Sequence, residues 1–433
     1  MAIEQELPPL AAISTAYGLT SKADRDAVER AYNAFRAHHA QFVTSIARDM
    51  LKDLRRDVAR DPKTRIVFLG RDGYSLAVAT RTLDPEFFAK HCHDAVLSRA
   101  VAESAVQDLE RNGGQEFAQV AGYRENTASV SDADVAGSYQ RLTRYLRESG
   151  VPVGVPGSNV TLVDSCLKGT VQELLAASYP QTTFTGRYMF YDGIASDPHP
   201  GSKFGYALHR DDGIGGGMSE LPKDPALTFG SLQAIRTIEN SLQGPLSSPK
   251  KLTDQGPEQR RLMDEPDRTW GCNPILIDPP YTNPAVREAT KVAALRAVLD
   301  VAADVRDGAP LDTPAVQQQF TMQVRAWLTH DNAALDPELK VMLDSFVHRD
   351  DHRMVRQLDG LLESSGQTPE ISQQVWQSFD VAGTLQEKKA VVENVQAMTQ
   401  AQTSAVRGSS VSAEDHGRGH QAAARPDQGA QLG

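Results

Sequence analysis

Two hydrophobic periods alternate along this chain. From residue 21 to 60 apolar side chains return every three or four positions, at Val28, Tyr32, Phe35, Phe42, Ile46 and Met50. That spacing predicts one long amphipathic helix, with Thr20 or Ser21 as its N-cap. The period then changes. "RIVFL" (65–69) is short, apolar and rich in β-formers, and reads as a buried strand that runs into "GRDG" and a helix. The same strand–loop–helix order recurs at "DAVLSRA" (94–100) and at "NVTLVDSCLKGTVQELLAA" (159–177). Between them, "SDADVAGSYQRLTRYLRESG" opens on a Ser-x-x-Asp capping box and lines Val135, Tyr139, Leu142 and Leu146 along one helical face. "FTGRYMFYD" (184–192) predicts a further strand.

Strands alternating with helices predict an α/β fold with a mainly parallel sheet flanked by helices. In such sheets ligands bind beyond the carboxyl ends of the strands, where Arg71–Asp72, Ser98–Arg99 and Asp164–Ser165 all fall. After about residue 195 the chain reads as irregular and rich in Gly and Pro, as in "HPGSKFG" and "DDGIGGGMSELPKDP". An excursion of that kind suits a lid, an acceptor-binding loop or a mobile insertion. From 284 to 400 the pattern is helical, and the stretch after 400 has almost no large apolar residues and is expected to be disordered. The division expected is an N-terminal segment and helix (1–60), an α/β core with the Gly/Pro-rich insertion (61–260), an additional C-terminal helical region (261–400) and a tail (401–433).

Composition narrows the classes. A hydrophobic content of 40% and a charged content of 23% fit a globular protein with a sizeable core. The net charge of −11 argues against a nucleic-acid-binding surface and suits a cationic small partner. Three widely spaced cysteines form no disulfide framework, no apolar run approaches a bilayer span, and the first residues carry no signal-peptide pattern. A cytoplasmic protein without membrane or nucleic-acid partners is expected.

The chemistry concentrates in two loops. In "VTLVDSCLKGT" an apolar strand ends on Asp164, and a loop of small residues plus Lys168 leads into a helix. Helix N-termini present free N–H groups and a partial positive charge, so they suit a phosphate. Gly169 allows close backbone approach, Thr170 offers a hydroxyl, Lys168 adds a charge, and Asp164 is placed to accept ribose hydroxyls. In "IVFLGRDGYSLA", Gly70 and Gly73 bracket Arg71 and Asp72 at a second strand end, an arrangement suited to an anion and its metal ion.

These two stretches resemble the ribose-phosphate and pyrophosphate loops of the type I phosphoribosyltransferases, and they occur in that family's order. The resemblance implies the phosphoribosyltransferase sheet, phosphoribosyl pyrophosphate as donor, Mg²⁺ as cofactor and release of pyrophosphate. It implies donor contacts at Gly70, Arg71, Gly73, Ser98, Arg99, Ser165, Lys168, Gly169 and Thr170, a metal contact at Asp72, a catalytic role for Asp164 and Arg71, and Glu239 as general base. Ser165 stands where that family has a second acidic residue, which removes one expected ribose contact. "FLGRDGYSL", "VLSRA", "VDSCLKGTVQELL" and "IENSLQGPLSSP" are also similar, in order, to a domain following the phosphatase region of certain haloacid-dehalogenase-associated bacterial proteins. The Asp-x-Asp nucleophile of that phosphatase is absent here. In class and charge balance the chain is similar to the phosphoribosyltransferases that act on aminocyclitols such as neamine, which implies a small acceptor in antibiotic biosynthesis, cationic if it is an aminocyclitol.

Other readings of these residues are plainer. A non-catalytic sensor of phosphoribosyl pyrophosphate or a nucleotide would use the same loops, and the helical C-terminal region would suit docking to a partner. Cys166 lacks the arginine six residues on that a cysteine phosphatase requires, since position 172 is Gln, so it reads as core filler. His348 and His352 are spaced i and i+4, but Arg349 occupies the place of a zinc protease's glutamate. "HCHD" (91–94) has no second ligand cluster at suitable spacing. GxGxxG and GxxxxGK[ST] are both absent.

Overall fold

A computed structural model of the chain describes residues 7–124, 130–211, 225–264, 271–272, 275–349 and 351–399. It divides into two compact units, residues 1–348 and 349–433. The first begins with α1 (Leu10–Ala16), α2 (Lys22–Ala37) and α3 (His39–Arg60), followed by β1 (Arg65–Gly70). Next come α4 (Tyr74–Leu83), α5 (Pro85–His91), β2 (Cys92–Val96) and α6 (Arg99–Gly113). The short α7 (Ala121–Arg124) and α8 (Asp132–Val135) precede α9 (Ser138–Glu148), β3 (Ser158–Asp164) and α10 (Thr170–Ser178). The rest of this unit comprises β4 (Thr182–Asp192), β5 (Lys203–Arg210), α11 (Leu232–Leu242), α12 (Pro284–Arg306), α13 (Thr313–Leu328) and α14 (Pro337–Phe346). The second unit holds α15 (His352–Ser365) and α16 (Pro369–Val381), which enclose a small core of Val355, Leu358, Trp376 and Phe379.

The five strands form one parallel sheet in the order β2-β1-β3-β4-β5. Strand residues alternate between its two faces, so neighbours in sequence enter different cores. Ile66, Phe68 and Val163 pack with Phe42, Ile46, Leu76 and Val298 of α3, α4 and α12. Val67, Leu69 and Leu162 pack with Val101, Leu142, Leu146 and Leu175 of α6, α9 and α10. Both faces are therefore covered, which explains why β1 and β3 read as unbroken apolar runs.

This is the α/β architecture with a parallel sheet, flanking helices and helical C-terminal region that the sequence predicts. Ser21 caps α2, accepting from the amide of Asp24 at 3.0 Å. Three local expectations are corrected. The helix predicted over 21–60 is two helices, broken at His38, where φ −122° and ψ −78° leave the helical region. Neither Pro nor Gly marks that break; the His38 imidazole instead turns to the Asp336 carboxylate, 3.7 Å away. The helix opened by the Ser131 capping box stops at Val135, because Gly137 takes a left-handed conformation (φ 70°) before α9 begins. Part of the stretch read as irregular after 195 is β5, whose edge position leaves it half-exposed and without an apolar run. Most of the Gly-rich run at 211–225 and the tail after 400 lie outside the described residues. Among the described residues no helix is long and apolar enough to cross a membrane.

Candidate functional site

The strand order creates a switch point. From β1 the chain moves to β2 on one side, then returns to place β3 on the other. Connections leaving β1 and β3 therefore diverge, and in sheets of this kind that divergence beyond the carboxyl ends is where ligands bind. Arg71 and Asp72 follow β1 there, and Asp164 closes β3. The two strands are direct neighbours, with Phe68 opposite Val163, so both predicted loops lie on one edge of the sheet.

The β1 loop is tight. The Gly73 amide donates to the Leu69 carbonyl at 2.7 Å, and a Cβ at residue 73 would lie 2.7 Å from that oxygen and 3.0 Å from the carbonyl oxygen of Val163. Gly70 lies against the Tyr74 ring, where a Cβ would come within 2.4 Å of Cε1. The Arg71 side chain is largely covered and donates through Nε to Asp72 Oδ1 at 3.0 Å. The peptide bonds Gly70–Arg71 and Cys166–Leu167, one in each loop, are cis.

The β3 loop ends at Gly169, the left-handed N-cap of α10 (φ 72°). A Cβ at Gly169 would lie 2.7 Å from the Lys203 side chain and 3.0 Å from the Tyr188 hydroxyl, so the loop turns directly over β4 and β5. Thr170 begins the helix, and Lys168 is half-buried just before it. Beneath the loop, Lys203 pairs with the fully buried Glu173 and with Asp197.

Glu239 completes the cluster from α11. Its carboxylate accepts from the Ser165 hydroxyl and also hydrogen-bonds the Cys166 thiol. Burial and the charge of Asp72 push the Glu239 carboxyl up to about 7. Asp164 is likewise held well above the ordinary carboxyl range by burial, Asp72 and Glu239, against the opposing pull of the Ser165 amide and Arg99. The two loops and α11 thus bring Arg71, Asp72, Asp164, Ser165 and Glu239 into one electrostatic group. Arg99, exposed at the first position of α6, is near enough to act on Asp164.

One predicted contact, Ser98, has structural work. Ser98 caps α6, accepting from the Val101 amide at 3.1 Å, and donates to the Pro249 carbonyl at 2.6 Å. Cys166, expected to be core filler, packs against the main core, and burial and Glu239 push its thiol up.

Sequence reasoning missed Lys291. It lies on α12, is 2% exposed, and donates to Asn240 Oδ1 at 3.1 Å. Burial, Arg287 and Arg71 lower its amine to about 7, against the raising effect of Cys272. Asn240 Nδ2 in turn donates to Cys272 Sγ and to the Phe346 carbonyl, each at 3.0 Å. The available signal was "REATK" (287–291), which sets three charged residues beside the apolar run "VAAL" (292–295) in the first half of α12.

Among the described residues no group of three or more His, Cys, Asp and Glu is placed to hold a metal ion. Mg²⁺ does not require one, since it takes one or two carboxylates and fills its shell with water and phosphate oxygens. Asp72, half-buried just after β1, offers one such carboxylate. Comparison with protein-family models, curated proteins and solved structures returned no significant match.

Proposed function

We propose that the protein is a phosphoribosyltransferase that moves a 5-phosphoribosyl group from phosphoribosyl pyrophosphate to a small acceptor and releases pyrophosphate. One observation carries the reading: the Arg71 loop and the Asp164–Thr170 loop leave adjacent parallel strands at the switch point of the sheet. A ligand with an anion at each end and hydroxyls between them suits that arrangement. The start of α10, with Gly169, Thr170 and Lys168, receives the 5-phosphate. Asp164 accepts from the ribose, and Glu239 stands beside it on the sugar side. Arg71 and the backbone of Gly70–Gly73 grip the diphosphate, which gains charge as the C1′–O bond breaks and the acceptor bonds to C1′. Arg99 adds a second cation. Mg²⁺ bound at Asp72 would supply further charge neutralisation for the diphosphate. The net charge of −11 favours a cationic acceptor, and an aminocyclitol such as neamine fits that class.

The test mixes the full chain with phosphoribosyl pyrophosphate, Mg²⁺ and a panel of amines and sugars, and follows pyrophosphate release and acceptor mass. Release coupled to mass gain is the expected result. One observation favours a second reading, a non-catalytic sensor of the same donor: the Ser165 hydroxyl is already engaged by Glu239. Tight donor binding without release across the whole panel would select the sensor.

A further inference from the structure

Beneath the turn that opens α10 lies a buried group of charges that no step of the proposed transfer uses. Lys203, at the start of β5, is 3% exposed, and Glu173, in the first turn of α10, is fully buried. The Lys203 ammonium lies 2.5 Å from Glu173 Oε1 and donates to both carboxylate oxygens of Asp197 at 2.9 Å. Asp197 also accepts from the His199 amide at 3.0 Å and from the hydroxyls of Tyr191 and Tyr123. His199 Nδ1 meets Glu173 Oε2 at 2.7 Å, and the Tyr123 ring centre lies 5.8 Å from the ammonium.

The group is tied to the turn itself. The Glu173 amide donates to the Gly169 carbonyl at 3.1 Å, and a Cβ at Gly169 would come within 2.7 Å of Lys203 Cε. Gln172, 1% exposed, accepts from the Tyr188 hydroxyl at 3.0 Å and donates to Ser202 Oγ at 2.9 Å. The first turn of α10 is therefore held by β4, by β5 and by the residues just before β5. Burying charged groups costs more than filling the same space with apolar side chains, so stability alone does not explain the cluster. A carboxylate in the first turn ordinarily satisfies the positive end of its own helix, and it repels any second anion bound there. Here Lys203 takes up the Glu173 charge, which leaves the start of α10 to an anion from outside.

We infer that Lys203 is a positioning residue of the phosphate site: its stem supports the Gly169 turn and its ammonium offsets the charge of Glu173, so that the start of α10 can take a phosphate monoester. The inference rests on the phosphoribosyl reading above. It makes the charge buried under α10 the factor that sets 5-phosphate affinity.

The experiment is calorimetric titration of the full chain at about pH 8, where a phosphate monoester is a dianion. The ligands are ribose 5-phosphate and, as a control for the Arg71 loop, pyrophosphate with Mg²⁺. One ammonium stands against two carboxylates in the wild type. Lys203→Met makes the group one unit more negative, Glu173→Gln one unit less, and the two together restore the balance. A charge at a partly buried helix start is worth about 10-fold in affinity. Lys203→Met is therefore expected to weaken ribose 5-phosphate by that factor, Glu173→Gln to tighten it, and the double variant to bind as wild type does, with pyrophosphate affinity unchanged throughout. A cluster that only holds the fold together would lose affinity in both single variants. Weaker or unchanged binding in Glu173→Gln, wild-type affinity in Lys203→Met, or an equal loss of pyrophosphate affinity in Lys203→Met overturns the inference and leaves the phosphoribosyl reading standing. If Lys203→Met does not fold, Glu173→Gln decides alone, since tightening is expected only from the charge argument. If wild type binds neither ribose 5-phosphate nor phosphoribosyl pyrophosphate, both fail.

Discussion

Gly73→Ala tests the geometry of the cleft at its narrowest point. The residue has φ −83°, so alanine meets no backbone strain and any effect comes from space alone. The added methyl would sit 2.7 Å from the Leu69 carbonyl oxygen and 3.0 Å from that of Val163. Both obstacles are backbone atoms of the central strands, so neither can rotate away. Relief requires α4 to move off the ends of β1 and β3 by several tenths of an ångström. Forcing a methyl into a packed site costs ~1–3 kcal/mol, and this position should lie toward the upper part of that range. The shift also lengthens the 2.7 Å bond from the Gly73 amide to Leu69 and displaces Arg71. Gly201→Ala is the control. Its Cβ would meet nothing within 4 Å, and its φ of 77° costs only ~1–2 kcal/mol of left-handed strain. Chemical denaturation gives the stability, and titration with phosphoribosyl pyrophosphate and Mg²⁺ gives the binding. Gly73→Ala should lose stability and at least about tenfold in donor affinity; Gly201→Ala should lose stability alone. Wild-type donor affinity in Gly73→Ala would refute the claim that this turn shapes a ligand site.

Three further outcomes are expected. Arg71→Ala and Asp164→Asn should each lower pyrophosphate release by ~100- to 1000-fold with circular dichroism unchanged, and wild-type release by both would end the assignment. The Glu239 carboxyl is raised in the fold from 4.5 to about 7, so the folded chain holds the extra proton and loses stability as pH rises through that window. Glu239→Gln should gain on wild type between pH 5 and 8 in paired denaturation curves, and a constant difference would count against the cluster. Lys291 has the opposite sign, with its amine lowered from 10.5 to about 7, so it contributes stability that grows as pH rises from about 7 towards 10. In Lys291→Met that growth should be missing, and the Asn240 oxygen left without its donor should cost ~1–3 kcal/mol at high pH, measured by the same curves.

The sheet was legible where burial on both faces makes strands continuous in apolar residues, as in "RIVFL" and "NVTLV". It was not legible at β5, an edge strand that mixes Lys203, Gly205 and His209 and buries few positions. The break at His38 escaped because a tertiary partner turns the chain there, and the one at Gly137 because the apolar period runs on through a glycine that takes a left-handed conformation. In the cleft, Arg71, Asp72 and Asp164 were readable because a charged residue at a strand end has few structural uses. Proximity was not readable. Nothing in the local pattern ties Glu239 to Ser165 or sets Lys291 behind it, since those contacts join elements far apart in the chain.

The most direct test of the account is calorimetric titration of the full-length protein with phosphoribosyl pyrophosphate in the presence of Mg²⁺. The account predicts saturable binding at one site, lost in Arg71→Ala and weakened in Asp164→Asn. Absence of any binding heat from folded wild-type protein, at donor concentrations well above the millimolar range of weak ligands, would contradict it.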